Sequence, residues 1–201
     1  MSAKIFPNWS EFYEQQAIET MPWYYPVLDP DLERALSERK IEPGRALDLG
    51  TGPATQALAL AERGFEVTAT DVAPQAIEQG RAQSVARKLP VEFVLDDVLD
   101  TKLSGPFDLV FDRGCFHVLA PEQRARYADI VAKLVHPHGY FFLKCFSDEQ
   151  PGDIGPYRFS AREIEETFRR EFEVVSIVRT IYQGTLAEQP KAFFCTLRRK
   201  G

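Results

Sequence analysis

From residue 45 onward, short β-rich apolar runs alternate with longer stretches of helical character. The apolar runs cover 45–50, 65–71, 91–97, 107–112 and 139–146, and the helical stretches cover 54–64, 74–88 and a segment after Pro121. Alternation at these lengths is typical of βαβ units, in which parallel strands form a sheet and helices cover both of its faces. The sequence therefore predicts a doubly wound α/β fold with a mainly parallel sheet.

The segments on either side of this region have a different character. Ser160 and Glu163 have the spacing of a capping box that opens a helix, and the runs at 172–184 and 191–199 predict two strands that pair antiparallel. Residues 1–44 are dense in aromatic residues and prolines, and we expect two short helices there, laid over one rim of the sheet. We expect a single domain over 1–201, with 1–44 as an N-terminal lid segment and 45–201 as the α/β core.

The composition argues against several classes of function. A net charge of −6 and a pI near 5.2 oppose a nucleic-acid partner, because phosphate binding relies on clustered Lys and Arg. No run approaches the roughly 18 apolar residues that a membrane helix needs, and the first residues lack the apolar core of a secretory signal. Cysteines at 115, 145 and 195 fit reduced thiols. We expect a cytoplasmic protein, monomer or homodimer, with a small-molecule substrate and no nucleic-acid or membrane partner.

Ligands of doubly wound sheets bind beyond the carboxyl ends of the strands, near the point where the strand order reverses. Gly50, Asp71, Asp97 and Asp112 each lie where a predicted strand ends. We therefore expect these four residues to line one rim of the sheet.

The stretch "ALDLGTGPATQAL" follows a predicted strand and opens a predicted helix, which is the context of a nucleotide-binding loop. Gly50 and Gly52 let the backbone approach a ligand closely, and the helix that begins near Ala54 offers free N–H groups to an anion. Asp71 lies 21 residues after Gly50, a distance at which a carboxylate can accept both hydroxyls of a ribose.

Asp48 distinguishes this loop from a pyrophosphate site. A pyrophosphate gains little from a neighbouring aspartate, whereas a ligand with an ammonium or a sulfonium gains a partner. In "FVLDDV", Asp97 is positioned to accept from an adenine amine, and the Val98 N–H to donate to a ring nitrogen.

In this order of motifs, residues 45–146 resemble the class I S-adenosylmethionine-dependent methyltransferases, which have a Rossmann-like fold. Ala54 departs from the family, which more often has a third glycine there. The alternative interpretation is a doubly wound domain whose glycines only make tight turns. The resemblance implies S-adenosyl-L-methionine as the cofactor.

The stretch "FDRGCFH" (111–117) raises the alternatives of a Cys/His nucleophile pair and of a metal site. Cys115 and His117 are two residues apart, and side chains at this offset diverge by about 200° on a helix. No second cluster supplies zinc ligands, so we predict no metal; His136 and His138 are interpreted as surface residues in a tight loop before the fifth strand. Arg113 is the better candidate, because a guanidinium next to the switch point can bind a carboxylate. The alternative for it is an ion pair with Asp112 or another neighbour.

The stretch "FDRGCFHVLAPEQRARYADIV" is also similar to the thiopurine methyltransferase superfamily, which includes thiol, thiocyanate and halide methyltransferases. The segments "IGPYRFSAREIEETF" and "NWSEFYEQQAIETMPW" resemble further parts of that family. The resemblance implies that Trp9, Tyr13 and Trp23 close over the cofactor. The alternative for these aromatics is core packing of an N-terminal helix. Gly155-Pro156-Tyr157 replaces the family's Gly-Pro-Pro.

The predicted activity is methyl transfer to a small molecule, most simply a thiol; the alternatives are O- or N-methylation of a small metabolite, and a non-catalytic binding module. A thiol is partly ionised at neutral pH and needs no strong base. Asp112 is the one acid nominated as a proton acceptor. The predicted acceptor contacts are Trp23, Arg113, Tyr157 and Arg158. The predicted cofactor contacts are Trp9, Tyr13, Trp23, Asp48, Gly50, Gly52, Asp71, Val72, Asp97, Val98 and Arg113.

Overall fold

The computed structural model describes Lys4 and residues 6–201, in which seven strands form one sheet. The strands are β1 (Arg45–Leu49), β2 (Glu66–Asp71), β3 (Val91–Leu95), β4 (Phe107–Arg113), β5 (Val135–Phe146), β6 (Phe172–Ile181) and β7 (Lys191–Arg199). The helices are α1 (Trp9–Gln15), α2 (Pro30–Glu38), α3 (Thr55–Glu62), α4 (Pro74–Arg87), α5 (Arg124–Leu134) and α6 (Ala161–Phe168).

The strand order is β3-β2-β1-β4-β5-β7-β6. The first five strands in this order are parallel, and β7 pairs antiparallel with both β5 and β6. The predicted fold class, a mainly parallel doubly wound sheet with an antiparallel C-terminal pair, is confirmed. The strand order reverses between β1 and β4, so the ends of these two strands define the switch point.

Alternate residues of the central strands face two separate cores. Leu47, Val110 and Phe141 belong to one cluster of buried side chains, which includes residues of α5 and α6. Ala46, Leu109 and Phe142, their neighbours in sequence, belong to the other, which includes residues of α2 and α3. The sheet is therefore buried on both faces, which explains why its strands are continuous apolar runs.

The start of β5 differs from the prediction. The strand begins at Val135 and includes His136 and His138, which the sequence had suggested for a tight loop. The register against β4 shifts between Phe107 and Leu109, so the histidines lie in an irregular part of the ladder. Both are exposed, as predicted.

The two short helices predicted within residues 1–44 are present. Asn8 caps α1 by accepting from the Ser10 N–H, and Asp29 caps α2 by accepting from the Asp31 N–H. The α1 helix contacts α4, which extends from the end of β2. No helix in the described part of the chain is long and apolar enough to cross a bilayer.

Gly80 is in the middle of α4, where helix propensity alone disfavours glycine. A Cβ at this position would lie 2.3 Å from Cε1 of Phe93, a buried residue of β3. Gly80 therefore lets α4 lie directly on the Phe93 ring.

We expect Gly80→Ala to destabilise the protein by about 1–3 kcal/mol, because overpacking outweighs the gain in helix propensity. Chemical denaturation measures the effect. The double variant Gly80→Ala/Phe93→Leu should recover part of the loss, since the ring no longer occupies the space of the new methyl. An increase in stability in the single variant would contradict this account of the α4–β3 contact.

Candidate active site

The glycine loop connects β1 to α3, and every second residue from 50 to 54 has a left-handed backbone conformation. Gly50, Gly52 and Ala54 have φ of 64°, 48° and 62°. A Cβ on Gly52 would lie 2.5 Å from the Tyr13 hydroxyl, and one on Gly50 would lie 3.2 Å from Cβ of Cys115. Ala54 is buried in a conformation that L-residues rarely adopt, which explains why glycine is more usual there.

Asp48 lies at the end of β1, next to the loop. Its carboxylate is buried and accepts a hydrogen bond of 2.7 Å from the Thr51 hydroxyl. Burial raises the pKa of Asp48 to about 7; the negative charge of Asp112 adds to the rise, and the bond from Thr51 opposes it. The carboxyl is therefore poised between its two protonation states near neutral pH, and a nearby cation would favour the ionised form.

Asp71, at the end of β2, connects the loop to the start of α4. One carboxylate oxygen accepts from the Gly52 N–H at 2.9 Å, and the other accepts from the Ala73 N–H at 2.9 Å. Burial raises the pKa of Asp71, against these backbone bonds. Each oxygen has a second lone pair, so the carboxylate can still accept from two ligand hydroxyls.

Two apolar side chains are exposed at the tips of adjacent strands. Val72 follows β2 and is 45% exposed, and Leu95 ends β3 and is 55% exposed. Asp71 and Leu95 are partners in the strand register, so the two exposed side chains flank one short stretch of the rim. Asp97 is exposed just beyond and accepts from the Leu99 N–H, while Val98 is buried. The arrangement suits a flat apolar ring with a polar edge.

The structure gives Asp112 a structural task that does not favour its predicted role as proton acceptor. The carboxylate is fully buried and accepts from the N–H groups of Gly114, Cys115 and Phe116 at 2.8–2.9 Å, and from the Tyr127 hydroxyl. Burial raises the pKa of Asp112 to about 6 in spite of these bonds. The four donors hold the turn after β4 in one conformation.

Arg113, the last residue of β4, forms the ion pair that the sequence left open, but with Asp29 and not with Asp112. Its Nε donates to the Asp29 carboxylate at 2.9 Å, Nη1 to the Trp23 carbonyl at 2.9 Å, and Nη2 to the Gln183 carbonyl at 2.5 Å. The guanidinium lies 4.5 Å from the centroid of the Tyr182 ring. Contact with a cofactor or acceptor carboxylate stays a prediction, and it would use the remaining N–H groups.

Cys115 and His117 have separate neighbours. Cys115 lies against Gly50, and burial raises the pKa of its thiol. His117 stacks on Tyr182 with ring centroids 5.6 Å apart, and its Nδ1 accepts from the Phe146 N–H at 3.3 Å. Burial lowers the pKa of His117 to about 3, and the charge of Arg113 adds to this. Both groups are therefore neutral at physiological pH, which is unlike a thiolate–imidazolium pair. In the described residues, no group of three or more His, Cys, Asp or Glu is arranged to hold a metal ion.

The N-terminal aromatic residues form one cluster over the glycine loop. Trp9, Phe12, Tyr13 and Trp23 have ring centroids 5.4–6.4 Å apart in five pairs. The Trp23 indole donates to the Tyr13 hydroxyl at 3.3 Å, and this hydroxyl lies against Gly52. The predicted lid therefore lies next to the loop, and its aromatics also pack on one another, as the alternative interpretation expected.

Tyr157 and Arg158, two of the predicted acceptor contacts, have different surroundings. Tyr157 is buried; its N–H donates to the His117 carbonyl at 2.8 Å, and its hydroxyl accepts from the Lys4 N–H at 3.1 Å. Arg158 instead donates to four backbone carbonyls between residues 150 and 156, so it holds its own loop together. Tyr157 lies beside the lid, 6.0 Å from the Phe6 ring centroid.

Sequence reasoning missed the residues that surround Arg113. Asp29, Tyr182 and Gln183 contact the guanidinium, and Lys144 pairs with Asp29. One signal was present: Lys144 is a charged residue inside the apolar run "GYFFLKCF". Lysine is almost never fully buried unless it is paired, so a lysine at that position indicates a buried acidic partner.

Comparison with known proteins gives a consistent result. Residues 46–139 match a family model described as a methyltransferase domain. The chain is 29% identical over 167 residues to 2-heptyl-1-hydroxyquinolin-4(1H)-one methyltransferase of Mycobacteroides abscessus, covering 81% of this chain and 73% of that protein. It is 25% identical over 181 residues to probable thiol methyltransferase 2 of Arabidopsis thaliana, covering 89% and 79%. An uncharacterised methyltransferase of Schizosaccharomyces pombe is 30% identical over 103 residues, 51% of this chain and 71% of that protein.

Solved structures with the same fold include a chain from a study of the conversion of a disulfide bond into a thioacetal group during echinomycin biosynthesis. It superposes with a TM-score of 0.83 at 25% identity, over 96% of this chain and 92% of that chain. The N-methyltransferase NodS of Bradyrhizobium japonicum WM9, in complex with S-adenosyl-L-homocysteine, superposes with a TM-score of 0.77 at 20% identity, over 97% and 100%.

The sheet order, the loop between β1 and α3 and the relatives in sequence all lead to one assignment. The chain belongs to the class I S-adenosylmethionine-dependent methyltransferases, and its cofactor is S-adenosylmethionine.

Proposed function

We propose that this chain methylates a small-molecule thiol and that residues 1–44 act as a lid over the reacting groups. The observation that carries the proposal is that the turn after β4 offers no effective base. Asp112 is enclosed by four donors, and the pKa of His117 is lowered to about 3. An acceptor at this site must therefore bring its own ionised atom.

The residues at the rim fit S-adenosylmethionine. Asp71 has free lone pairs for the ribose hydroxyls, and Val72 and Leu95 offer apolar flanks for adenine next to Asp97. Asp48, with its raised pKa, gains from a cationic amino group. The backbone of Gly52 can approach the ligand because it has no Cβ.

When bound, S-adenosylmethionine supplies a methyl group activated by a positively charged sulfur. The chain's contribution is alignment and exclusion of water, which together can lower a barrier by about 7–11 kcal/mol. Asp71 and Asp97 would orient the cofactor through its sugar and base. Tyr13 and Trp23 would close over the loop and keep water out, since their rings already contact each other and the loop.

The acidity of the acceptor then decides which compounds react. A thiol has a pKa of about 8.5 and is partly ionised at neutral pH, whereas an ordinary alcohol is not. The similarity to probable thiol methyltransferase 2 of Arabidopsis thaliana supports this choice. An acidic hydroxyl meets the same condition, and the Mycobacteroides abscessus relative is named for a 1-hydroxyquinolinone. O-methylation of an acidic hydroxyl is therefore the second candidate.

We expect Asp71→Asn to weaken S-adenosylmethionine binding by about 10–100-fold, because the ribose hydroxyls then lose a charged hydrogen-bond acceptor. Isothermal titration calorimetry measures the change. Asp100→Asn is the matched control, since Asp100 is an exposed carboxylate on the β3–β4 connection, paired with Lys102. Equal affinity in wild type and Asp71→Asn would remove Asp71 from the site.

We expect cofactor binding to release about half a proton per molecule at pH 7, as Asp48 passes from a pKa of about 7 to a lower one. The affinity should therefore rise between pH 6 and pH 8. Calorimetry in buffers of different ionisation enthalpy measures the release. Asp48→Asn should abolish it, and a release that persists in this variant would assign the proton to another group.

We expect aromatic thiols and acidic hydroxyls to be methylated, and simple alcohols to react at least about a hundredfold more slowly. The pH at which the rate rises should follow the pKa of each acceptor, because the acceptor and not the enzyme ionises. Formation of S-adenosylhomocysteine across a series of substituted thiophenols measures both. A pH profile that is the same for every acceptor would reveal a base on the enzyme.

A further inference from the structure

Lys144 is a fully buried lysine near the carboxyl end of β5. Its ammonium donates to both carboxylate oxygens of Asp29 at 2.9 and 2.7 Å, to Asp31 at 2.8 Å, and to the side-chain carbonyl of Gln183 at 2.5 Å. These partners come from the start of α2 and from the β6–β7 connection. One side chain of the central sheet thus holds two segments that are distant in sequence.

Each carboxylate beside this ammonium also has a second cation. Arg113 pairs with Asp29, Arg34 pairs with Asp31 at 2.5 Å, and Asp31 also accepts from the Thr180 hydroxyl at 2.7 Å. Burial works to raise the pKa of Asp31, but the charge and hydrogen bond of Lys144, together with the bond from Thr180, lower it overall. Replacing a buried ion pair by apolar residues of similar volume is often neutral for stability. The cluster is therefore better explained by the positions in which it holds the two segments than by a contribution to the free energy of folding.

We propose that Lys144 is a positioning residue for methyl transfer, which fixes the lid over the glycine loop through Asp29 and Arg113. The inference rests on the proposed role of residues 1–44 as a lid. It concerns the placement of Trp23 and Tyr13 over the cofactor, and it assigns Lys144 no contact with the cofactor or the acceptor.

The first path from Lys144 to the loop runs through the lid. Lys144 holds the Asp29 carboxylate, which accepts from Nε of Arg113 at 2.9 Å. The same guanidinium donates to the Trp23 carbonyl at 2.9 Å, and the Trp23 indole donates to Tyr13 against Gly52. Each link is a hydrogen bond or a direct contact, and two of them, at the Trp23 carbonyl and at Gly52, involve the backbone.

A second path reaches the loop from the other side. The Asp29 N–H donates to the side-chain carbonyl of Gln56 at 2.8 Å, and the Gln56 amide donates to the Val27 carbonyl at 3.1 Å. Gln56 lies in the first turn of α3, directly after the glycine loop. Asp29 is therefore connected both to the first turn of α3 and, through Arg113, to Trp23, and Lys144 holds its carboxylate in place.

Removal of the ammonium leaves Asp29 and Asp31 facing each other without a shared cation. Their repulsion and their need for water favour an arrangement in which the start of α2 moves away from β5. Arg113 would then either move with Asp29 or lose its hydrogen bond to this carboxylate. The guanidinium would no longer hold the Trp23 carbonyl in its present position. A lower population of the closed lid lowers the apparent cofactor affinity in proportion.

The test uses Lys144→Met, with Phe172→Leu as a control of reduced stability. Phe172 is buried at the start of β6, at the opposite end of the strands from the rim. The chain has two tryptophans, Trp9 and Trp23, so all tryptophan emission comes from the lid. We expect Lys144→Met to increase acrylamide quenching of this emission and to raise the Kd for S-adenosylmethionine about tenfold or more. Phe172→Leu should change neither quantity, even where it lowers the unfolding temperature equally.

A double-variant cycle separates positioning from simple loss of stability. If Lys144 acts through Trp23, the Kd of Lys144→Met/Trp23→Ala should equal that of Trp23→Ala alone. Lys144→Met/Asp31→Asn should recover part of the affinity, since it removes one of the two carboxylates that would repel each other without the ammonium. Fully additive effects in the first pair, or wild-type quenching and Kd in Lys144→Met, would overturn the inference.

If Lys144→Met does not accumulate as folded protein, acrylamide quenching and the Kd for S-adenosylmethionine are measured on Gln183→Ala instead. It removes one acceptor of Lys144 and leaves the Gln183 carbonyl that binds Arg113. We expect smaller changes in the same direction, and unchanged quenching and Kd would overturn the inference. Failure of the proposed thiol activity is a separate outcome, because quenching and cofactor affinity are measured without any acceptor.

Discussion

A single ammonium inside an apolar strand pairs with two carboxylates from the N-terminal part of this molecule. Lys144 is fully buried, and an ion in such a place must be paired. The carboxylates that pair it, Asp29 and Asp31, come from the start of α2. The chain that precedes them must therefore cross the carboxyl ends of the parallel strands. This crossing brings the aromatic cluster of Trp9, Phe12, Tyr13 and Trp23 over the glycine loop.

The carboxylates at the ends of the strands differ in role because they differ in surroundings. Asp112 is surrounded by three backbone N–H groups and a tyrosine hydroxyl, so it shapes the turn after β4. Asp71 has one backbone donor on each oxygen and retains capacity for a ligand. Asp48 has a hydroxyl donor and a raised pKa, which suits it to a cation. We therefore propose a different task for each of these aspartates: a structural one for Asp112, sugar binding for Asp71 and binding of a cationic group for Asp48.

Most elements of the fold followed from local sequence. The apolar runs and helical stretches after residue 45 correspond to β1–β4 and α3–α5, and the capping box at Ser160 opens α6. These predictions succeeded because periodicity and capping are local properties of the chain. The predicted start of β5, at residue 139, was wrong. The strand continues back through His138 and His136 in an irregular part of the ladder, where the register against β4 shifts next to Phe107. The requirement for glycine at position 80 likewise comes from another element, because the Phe93 ring of β3 occupies the space that a Cβ would need.

The sequence by itself determined the type of sheet, the residues that end its strands at one rim and the family of the loop between β1 and α3. It did so because strand alternation and a glycine-rich turn are readable over a few tens of residues. Only the tertiary structure decided the partners of Arg113, the enclosure of Asp112 and the neutral state of His117. Such properties depend on burial and on contacts between residues far apart in the chain, such as Lys144 and Asp29. No local pattern specifies which distant carboxylate a buried cation will meet.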